Sequence, residues 1–413
     1  MTETSKKRPP SPEYQTYGEI VWGQFKKYPV SYYSLWGVVG LFILAMVCPL
    51  IALNVPFYLH VPEGVGPERL QGTSYPWLMA LFDRNFFESG VDIFFNFLLF
   101  YVPLVLLAFT FLTRQRPGED KAKWKKRRMR FLGIASVIGV GIFIFLYYQD
   151  FRQPYVNYKA LAELDGVTAI FPFIDYSYRD VNLMAVMQGP SMEHFLGTDR
   201  EGRDVFTRLL YGTRISLTIG VVAVSIYTAI GLFLGSLAGF FGGRVDTIVL
   251  RLIEIMMCFP VLFLILTLVG FLDEPSIFHI MLIIGLTGWT GIARLVRGEF
   301  LRLRNQDFVQ AAIALGFDRA RIIFRHVMPN AVQPVFVAAT FGVAGAILIE
   351  ATLSFLGVGP ANAPSWGQIL TTGRNTQQMS LILSAGFAIF VTISLLNLIG
   401  EGLRDATDPK MRK

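Results

Sequence analysis

Long apolar runs alternate with polar segments along the whole chain. A helix that crosses a bilayer needs ~20 predominantly apolar residues, and several runs approach or exceed that length. An even number of spans would put both ends of the chain on one side of the membrane. We therefore predict an all-α polytopic membrane protein. Its eight predicted spans are 35–55, 93–112, 131–148, 216–240, 248–271, 278–295, 335–357 and 381–400.

The composition agrees with this class and excludes others. The chain has 413 residues, of which 53% are apolar and 16% charged, whereas about a quarter are charged in soluble proteins. The net charge of +7 does not indicate nucleic-acid binding, because the basic residues lie in short loops beside apolar runs. Both cysteines lie inside apolar runs, and the four histidines are far apart. We expect neither a disulfide framework nor a metal site.

The polar segments predict an orientation. Residues 1–34 form a cytoplasmic N-terminal segment, and residues 401–413 form a cytoplasmic tail. Residues 114–130 are the densest basic run, which indicates a loop held in the cytoplasm by its charge. Binding of anionic lipid by that run is the alternative. Residues 56–190 then hold extracytoplasmic segments around an inserted pair of spans, 93–112 and 131–148, and residues 191–400 hold the remaining five spans.

A polar, basic stretch at 307–329 separates two of these apolar runs. It reads as two short helices joined at a glycine in the left-handed conformation. An acid caps the first helix, a glutamine three residues later completes a capping box, and a narrow apolar stripe follows at helical spacing. The second helix is basic and ends at a proline. The residues concerned are Asp307, Phe308, Gln310, Ala311, Ala312, Leu315, Gly316, Arg321, His326 and Pro329.

A second distinctive segment precedes the five later spans. A turn between two glycines leads into an amphipathic helix that begins near Val205. The polar residues of this segment are closely spaced, and we place them outside the membrane. They are Gly197, Thr198, Asp199, Gly202, Arg203 and Asp204.

Two features lie inside predicted spans. Gly231, Gly235 and Gly239 recur at four-residue steps, a strip that lets another helix backbone approach closely in lipid. Glu350 lies within the span 335–357, where a charge is costly and usually faces a cavity or a partner. It either lines or gates a path, or it hydrogen-bonds a neighbouring helix.

Both polar segments resemble one family. The spacing Gln310-Ala-Ala-x3-Gly316, with His326-x-x-Pro329 further on, resembles the EAA loop of ABC-importer permeases. The segment 194–214 resembles the LGTDxxGRD signature of the C-type subunits of oligopeptide and dipeptide permeases, and the tail resembles their GDGLRD ending. The resemblance implies the type I (MetI-like) ABC-importer transmembrane fold. It also implies that 307–329 docks, through its apolar stripe, into a groove on an ATPase subunit.

The resemblance further implies the surroundings of the chain. It would be a multi-pass subunit in the cytoplasmic (inner) membrane of a bacterium, importing di- or oligopeptides or a related small solute. Its partners would be a second permease subunit, two ABC ATPase subunits that carry ATP-Mg, an extracytoplasmic solute-binding protein and the lipid bilayer. The chain itself would bind no cofactor, since it has no phosphate-binding G-x-x-x-x-G-K-[ST] loop.

The family pattern has six spans rather than eight. We assign the addition to the pair 93–112 and 131–148, and we expect this pair to lie at the periphery and to be dispensable for assembly. Two other classes of protein stay open. An ion-coupled secondary transporter should carry paired intramembrane charges, for which only Glu350 is a candidate. An intramembrane enzyme would need a nucleophile–base or metal constellation, and none is found.

The orientation gives a first prediction. Trp124→Cys should be protected from a membrane-impermeant thiol reagent on intact cells, and Tyr158→Cys should be labelled, because the basic run holds its loop inside. The measurement compares labelling before and after the cells are permeabilised. Labelling of Trp124→Cys together with protection of Tyr158→Cys in intact cells would reverse the assignment.

Overall fold

The computed structural model describes residues 17–115, 120–359 and 363–408, and helices make up most of these ranges. The first six helices are α1 (Tyr17–Phe25), α2 (Pro29–Ile51), α3 (Pro76–Ala80), α4 (Gly90–Leu112), α5 (Lys121–Tyr148) and α6 (Tyr158–Ala162). The next five are α7 (Val205–Phe241), α8 (Gly243–Met257), α9 (Val261–Gly270), α10 (Ile277–Thr287) and α11 (Trp289–Leu303). The last five are α12 (Asp307–Ala314), α13 (Arg319–Ile322), α14 (Met328–Phe355), α15 (Trp366–Thr376) and α16 (Met379–Thr407).

The predicted all-α, eight-span architecture is confirmed. In the described part of the chain, seven helical segments are long and apolar enough to cross a membrane, and the bent pair α8–α9, taken as one broken span, makes the eighth. That pair bends by 78° at Pro260, which is the N-cap of α9. The proline therefore breaks the span into two helices, because it cannot donate the backbone hydrogen bond that would continue α8.

The first span is shifted relative to its prediction. It runs from Pro29 to Ile51 instead of over 35–55. Pro29 suits the first turn of a helix, where its missing N–H leaves no bond unmade. At the other end, Ala52 has an extended backbone and forms a bridge with Ile174. The chain thus leaves the helix early to join the structure built on top of the bundle.

Helix α7 is the centre of the bundle and packs against α2, α10, α11 and α14. The glycine strip is the surface that α11 approaches. A Cβ atom built on Gly231 would lie 2.6 Å from Ile292, one on Gly235 would lie 2.5 Å from the Ala293 carbonyl oxygen, and one on Gly239 would lie 2.7 Å from a backbone oxygen of α11. Only glycine admits a neighbouring backbone at this distance, so the strip sets the α7–α11 separation.

A small sheet lies beyond one end of the bundle. Its strands are β1 (Tyr58–Val61), β2 (Gly72–Ser74) and β3 (Thr168–Ile170), in the order β2-β1-β3 with antiparallel pairing. Leu59 and Val61 of β1 are fully buried with Leu161 of α6. Because β3 follows α5 in sequence, the sheet joins the segments before and after the inserted pair. We call this end of the bundle the sheet end.

The inserted pair consists of α4 and α5, and the two helices differ in burial. Helix α5 packs against α4 and exposes most of its side chains, as expected for a peripheral span. Helix α4 does not fit that expectation. Its first two turns, which include Asp92 and Asn96, are buried between α2 and α7.

The glycine strip gives the second prediction. Gly235→Val should lower the thermal unfolding midpoint of the detergent-solubilised chain, because its side chain would overlap the backbone of α11. We expect a loss of roughly 1–3 kcal/mol or more. Gly141→Val in α5 is the matched control, since a Cβ there meets nothing within 4 Å. Equal midpoints for the two variants would contradict the close α7–α11 contact.

Candidate functional site

The predicted coupling loop connects α11 to α14 at the end of the bundle opposite the sheet. It contains α12, α13 and a π-helical turn at Ile323–Val327. The last turns of α7 lie beside it, where Arg304 donates to the carbonyl of Gly239 over 3.4 Å. We call this end of the bundle the loop end. The N-terminal helix α1 reaches the same end, because Phe25 packs with Ile399 and Ala406 of α16.

Gly316 ends α12 in the way the sequence predicts. Its φ is +72°, and its N–H donates to Ile313 over 2.9 Å while the N–H of Phe317 donates to Ala312 over 3.2 Å. This pair of bonds is the Schellman motif, in which a left-handed glycine satisfies the last carbonyls of a helix. Asp318 then caps α13 by accepting from the Ala320 N–H over 3.1 Å. The two short helices are thus held at a fixed angle.

The apolar stripe on α12 is only partly as predicted. Phe308 and Leu315 are 43% and 72% exposed, and Ala311 is also exposed. Ala312 is different, since it is 3% exposed and lies with Val309 in the protein's own core. The assignment of Ala312 to a partner groove is therefore corrected. The predicted stripe spans both faces of the helix: Ala312 belongs to the inner face, and the other three belong to the outer face.

The capping of α12 also differs from the prediction. Asp307 is the first helical residue and Gln306 is the N-cap, with no side-chain cap. Asp307 still favours the helix through its charge at the positive end of the dipole. Gln310 does not complete a capping box. Its side-chain amide donates instead to the carbonyl of Arg304 over 2.9 Å, which ties α12 back to the end of α11.

Pro329 does not stop a helix, contrary to the prediction. It lies in the first turn of α14, directly after the π-helical turn at Ile323–Val327. A proline at this position needs no backbone donor. The chain therefore passes from the loop into the membrane-spanning α14 without a break, so a force on the loop has a helical route into the span.

Three side chains of the loop form a stack. The rings of Phe317 and His326 are parallel within 19°, with centroids 5.8 Å apart, and the Arg321 guanidinium lies 4.4 Å from the Phe317 ring. Such cation–π contacts hold an arginine against a ring without removing its charge. The stack joins α13 and the π-helical turn to the residue after Gly316. Arg321 and His326 thus stabilise the loop's shape.

The signature segment at 197–204 is a buried, tightly hydrogen-bonded loop at the sheet end, which we call the signature loop. The carboxylate of Asp199 accepts from the backbone N–H groups of Glu201 and Arg203 over 2.9 and 3.0 Å, and from the Arg203 Nε over 2.8 Å. Asp204 caps α7 by accepting from the Thr207 N–H over 2.7 Å. Its second oxygen lies 2.9 Å from His194 Nδ1. Asp199 and Asp204 are 1% and 3% exposed.

The signature loop requires glycine at two positions and packs closely against its neighbours. Gly197 and Gly202 have φ of +81° and +69°, and a Cβ on either would overlap a backbone carbonyl oxygen. Thr198 is fully buried, and its carbonyl accepts from Gln378 over 3.1 Å. Beside the signature loop, burial and the neighbouring Glu193 carboxylate raise the pKa of Tyr176. The side chains turn inward, so the geometry favours a clamp for the start of α7 rather than a ligand site.

An apolar cleft of about 320 Å³ opens between the helices at membrane depth. Tyr227, Gly342, Gly345 and Ile349 are among its lining residues. Glu350 does not line it. That carboxylate is fully buried and accepts from the Ser354 hydroxyl over 2.8 Å, on the side of α14 that packs against α15.

A family model described as "Binding-protein-dependent transport system inner membrane component" matches residues 231–413. The dipeptide transport system permease protein DppC of Alkalihalophilus pseudofirmus is 41% identical over 274 residues, or 64% of this chain and 90% of that protein. The oligopeptide transport system permease protein OppC of Escherichia coli K12 is 39% identical over 279 residues, or 64% and 92%. This chain belongs to the permease family of binding-protein-dependent ABC importers.

The permease is therefore an inner-membrane transport component and not itself an enzyme. Family membership decides against the ion-coupled secondary transporter. Solved structures of the inward-facing MetNI methionine ABC transporter and of an amino acid ABC transporter are also similar in part. Their TM-scores are 0.42 and 0.37 at 18% identity, over 49% and 48% of this chain and 97% and 94% of theirs.

Sequence reasoning missed the buried polar group that links α2 and α4 to α7. Arg214 of α7 is fully buried. Its guanidinium lies 3.2 Å from Asp92, donates to the Asn96 side chain over 2.8 Å and donates to the Ala45 carbonyl over 2.7 Å. Tyr178 donates to the second oxygen of Asp92 over 3.1 Å. Asp92 and Asn96 are polar residues four positions apart at the start of an apolar run, which is a sign of a buried polar site. Nothing in the sequence, however, pairs them with Arg214, which lies far along the chain.

This cluster argues against the expectation that the inserted pair is dispensable. Asp92 and Asn96 belong to α4, so removal of the pair would leave Arg214 buried without its counter-ion. An uncompensated buried charge costs several kcal/mol. We therefore expect the permease without α4 and α5 to misfold, although α5 itself is peripheral.

The cluster gives the third prediction. Asp92→Ala should destabilise the purified permease by about 3–5 kcal/mol, because it leaves the Arg214 charge unpaired. Glu88→Ala is the control, since Glu88 pairs with Arg179 at the surface with its side chain 68% exposed, where a pair contributes about 0–1 kcal/mol. Thermal unfolding in detergent measures both. A double variant, Asp92→Leu with Arg214→Met, should recover much of the loss, and no difference between the two single variants would contradict the buried-pair argument.

Proposed function

We propose that the permease imports di- or oligopeptides, or a related small solute, across the cytoplasmic membrane of a bacterium. The support is its identity of about 40% to proteins named as dipeptide and oligopeptide permeases. ATP hydrolysis on separate subunits drives the transport, and ATP-Mg binds there rather than on this chain. An extracytoplasmic binding protein delivers the solute.

The translocation path is shared with a second permease subunit. The apolar cleft beside Tyr227 supports this, because it is lined largely by small and aliphatic side chains and opens on a face that the described residues leave uncovered. A solute pathway between two such faces needs no charged lining from this chain. A gating role for Glu350 stays a prediction, and its burial against Ser354 favours a structural role in the present conformation.

Two ATPase subunits drive the transporter, one docked on each permease subunit. In this chain the loop at 307–329 transmits the motion of its ATPase subunit. The observation that carries this proposal is the apolar patch that the loop presents on its outer face. Phe308, Leu315 and Phe324 are 43%, 72% and 69% exposed, although each stands on a segment fixed by caps or core contacts. Large apolar side chains held rigidly at a surface mark a docking site.

The same helices explain how docking reaches the path. Val309 and Ala312 lie in the core, and the π-helical turn runs directly into α14. Displacement of the outer patch therefore moves the inner face of α12 and the start of α14 together. Ligand-driven closure of the ATPases would shift the bundle between two states in this way.

The orientation follows from the charges. The basic first turns of α5, helix α1 and the end of α16 all lie at the loop end. We propose that this end is cytoplasmic, with both termini inside, because excess basic charge stays on that side. The signature loop at 197–204 and the small sheet are then extracytoplasmic, on the side where a binding protein docks.

The fourth prediction tests the docking patch. Leu315→Asp should reduce recruitment of the ATPase subunits to membranes by roughly a hundredfold, because a carboxylate buried unpaired at the interface costs about 3 kcal/mol. The unfolding midpoint of the permease alone should stay unchanged, since Leu315 is largely exposed. Arg319→Ala is the control on the neighbouring helix. Its loss should be small, because exposed charges contribute about 0–1 kcal/mol.

Two further variants separate docking from folding. Ala312→Glu should lower the unfolding midpoint itself, because Ala312 lies in the core. Gly316→Val should strain the left-handed turn and weaken recruitment by misplacing Leu315. Recruitment and substrate uptake at the wild-type level for Leu315→Asp would show that the patch faces lipid and not an ATPase.

A further inference from the structure

The inserted helix α5 carries a basic stripe that the proposed function leaves unexplained. Lys123, Lys126 and Arg130 stand at i, i+3 and i+7, so they lie on one face of the helix. Within residues 17–115, 120–359 and 363–408, none of the three makes an ion pair. The neighbouring acids are already engaged. Glu19 pairs with Lys125 over 3.1 Å, and Asp120 caps α5.

Contacts with α4 determine where this face points. Along α5, Ala135, Gly139 and Phe143 face α4: the Ala135 carbonyl accepts from the Tyr101 hydroxyl, a Cβ on Gly139 would lie 2.7 Å from the Tyr101 ring, and Phe143 packs on Phe94 with ring centroids 5.3 Å apart. At 100° per residue, this side of the helix is opposite the basic stripe. The stripe therefore points away from the rest of the protein.

Two side chains fix the same rotation at the loop end. The indole N–H of Trp124 donates to the Thr113 carbonyl over 2.7 Å. The Arg128 guanidinium lies 4.6 Å from the Trp124 ring and 4.4 Å from that of Phe109. Both residues lie on the α4 side of the helix. Among the basic residues of α5, Arg128 thus packs on α4, whereas Lys123, Lys126 and Arg130 face outward.

The outward face continues as an apolar surface. Ile134, Val137, Ile138, Phe145 and Tyr148 follow on the same face and are 61%, 74%, 52%, 60% and 80% exposed. In a membrane-spanning helix such a face contacts lipid tails. About 27 Å of helix separates Arg130 from Tyr148, close to the ~30 Å of the hydrocarbon core. Lys126 and Lys123 lie about 6 and 10 Å beyond Arg130, at the depth of lipid headgroups.

We propose that Lys123, Lys126 and Arg130 form a binding surface for anionic phospholipid headgroups in the leaflet at the loop end. The occupant follows from the continuity of the stripe with the lipid-facing surface and from its uncompensated positive charge. Anionic headgroups are attracted to such clusters by about fivefold for each basic residue near the surface. Since α4 of the same hairpin supplies Asp92 to the buried Arg214, the lipid contact also anchors the element that holds α7.

The experiment measures lipid retention by the full-length permease. Native mass spectrometry of the detergent-solubilised chain, with equal amounts of phosphatidylglycerol and phosphatidylcholine, should show a clear preference for phosphatidylglycerol. The triple variant Lys123→Gln, Lys126→Gln, Arg130→Gln should reduce that preference by at least tenfold and by up to about a hundredfold at low ionic strength. The variant Lys123→Arg, Lys126→Arg, Arg130→Lys keeps the charge and should keep the preference.

A charge-matched control separates the stripe from net charge. Lys27→Gln, Arg244→Gln, Arg404→Gln removes three exposed charges at the loop end from three separate segments, the α1–α2 turn, α8 and α16, and should retain the preference. An equal loss in this control, or no loss in the stripe variant, would overturn the proposal and leave the basic run as a determinant of orientation. Competition by inorganic phosphate as strong as that by phosphatidylglycerol would also overturn it.

If the triple variant fails to fold, the single variants decide. Lys123→Gln and Lys126→Gln should each reduce the preference by about fivefold with an unchanged unfolding midpoint, because both side chains are exposed. A preference unchanged in both would count against the stripe.

Discussion

The fold depends on the burial of one guanidinium. Arg214 is excluded from water between α2, α4 and α7. It is tolerated there because Asp92, Asn96 and the Ala45 carbonyl supply a charge and two acceptors. Those groups come from α4 and α2, so the cluster fixes these two helices against α7. A buried pair of this kind adds little net stability compared with apolar packing, but loss of one partner is costly. It therefore makes the inserted helix part of the core.

The main architecture could be predicted because bilayer thickness and hydropathy constrain it. Eight apolar runs gave eight spans, and the glycine steps at 231, 235 and 239 gave the face that meets α11. The left-handed Gly316 was also predictable, since few residues other than glycine adopt that conformation at a helix end. These features are local or periodic, so the sequence carries them directly.

What could not be predicted depends on contacts between distant segments. The strands of the small sheet have three or four residues each, too few for a periodic signal, and β3 is separated from β1 by both inserted helices. Ala312 was assigned to the outer face because helical spacing alone does not say which side of a narrow stripe the core covers. The burial of Val309 settles this, and it follows from where α12 sits against the bundle.

The two faces of α5 show how one helix can meet two requirements. Its aromatic and small residues meet α4, while the opposite face must satisfy lipid along its whole length. A lipid-facing helix needs apolar side chains only across the hydrocarbon core, and beyond it the same face enters the charged headgroup region. Basic residues there hold the helix at a fixed depth. Because α4 is bonded to Arg214 at the sheet end and packed on α5 at the loop end, a fixed depth for α5 also resists sliding of α4 along α7. The inserted hairpin is thus placed to stabilise α7, the helix against which α10, α11 and α14 pack.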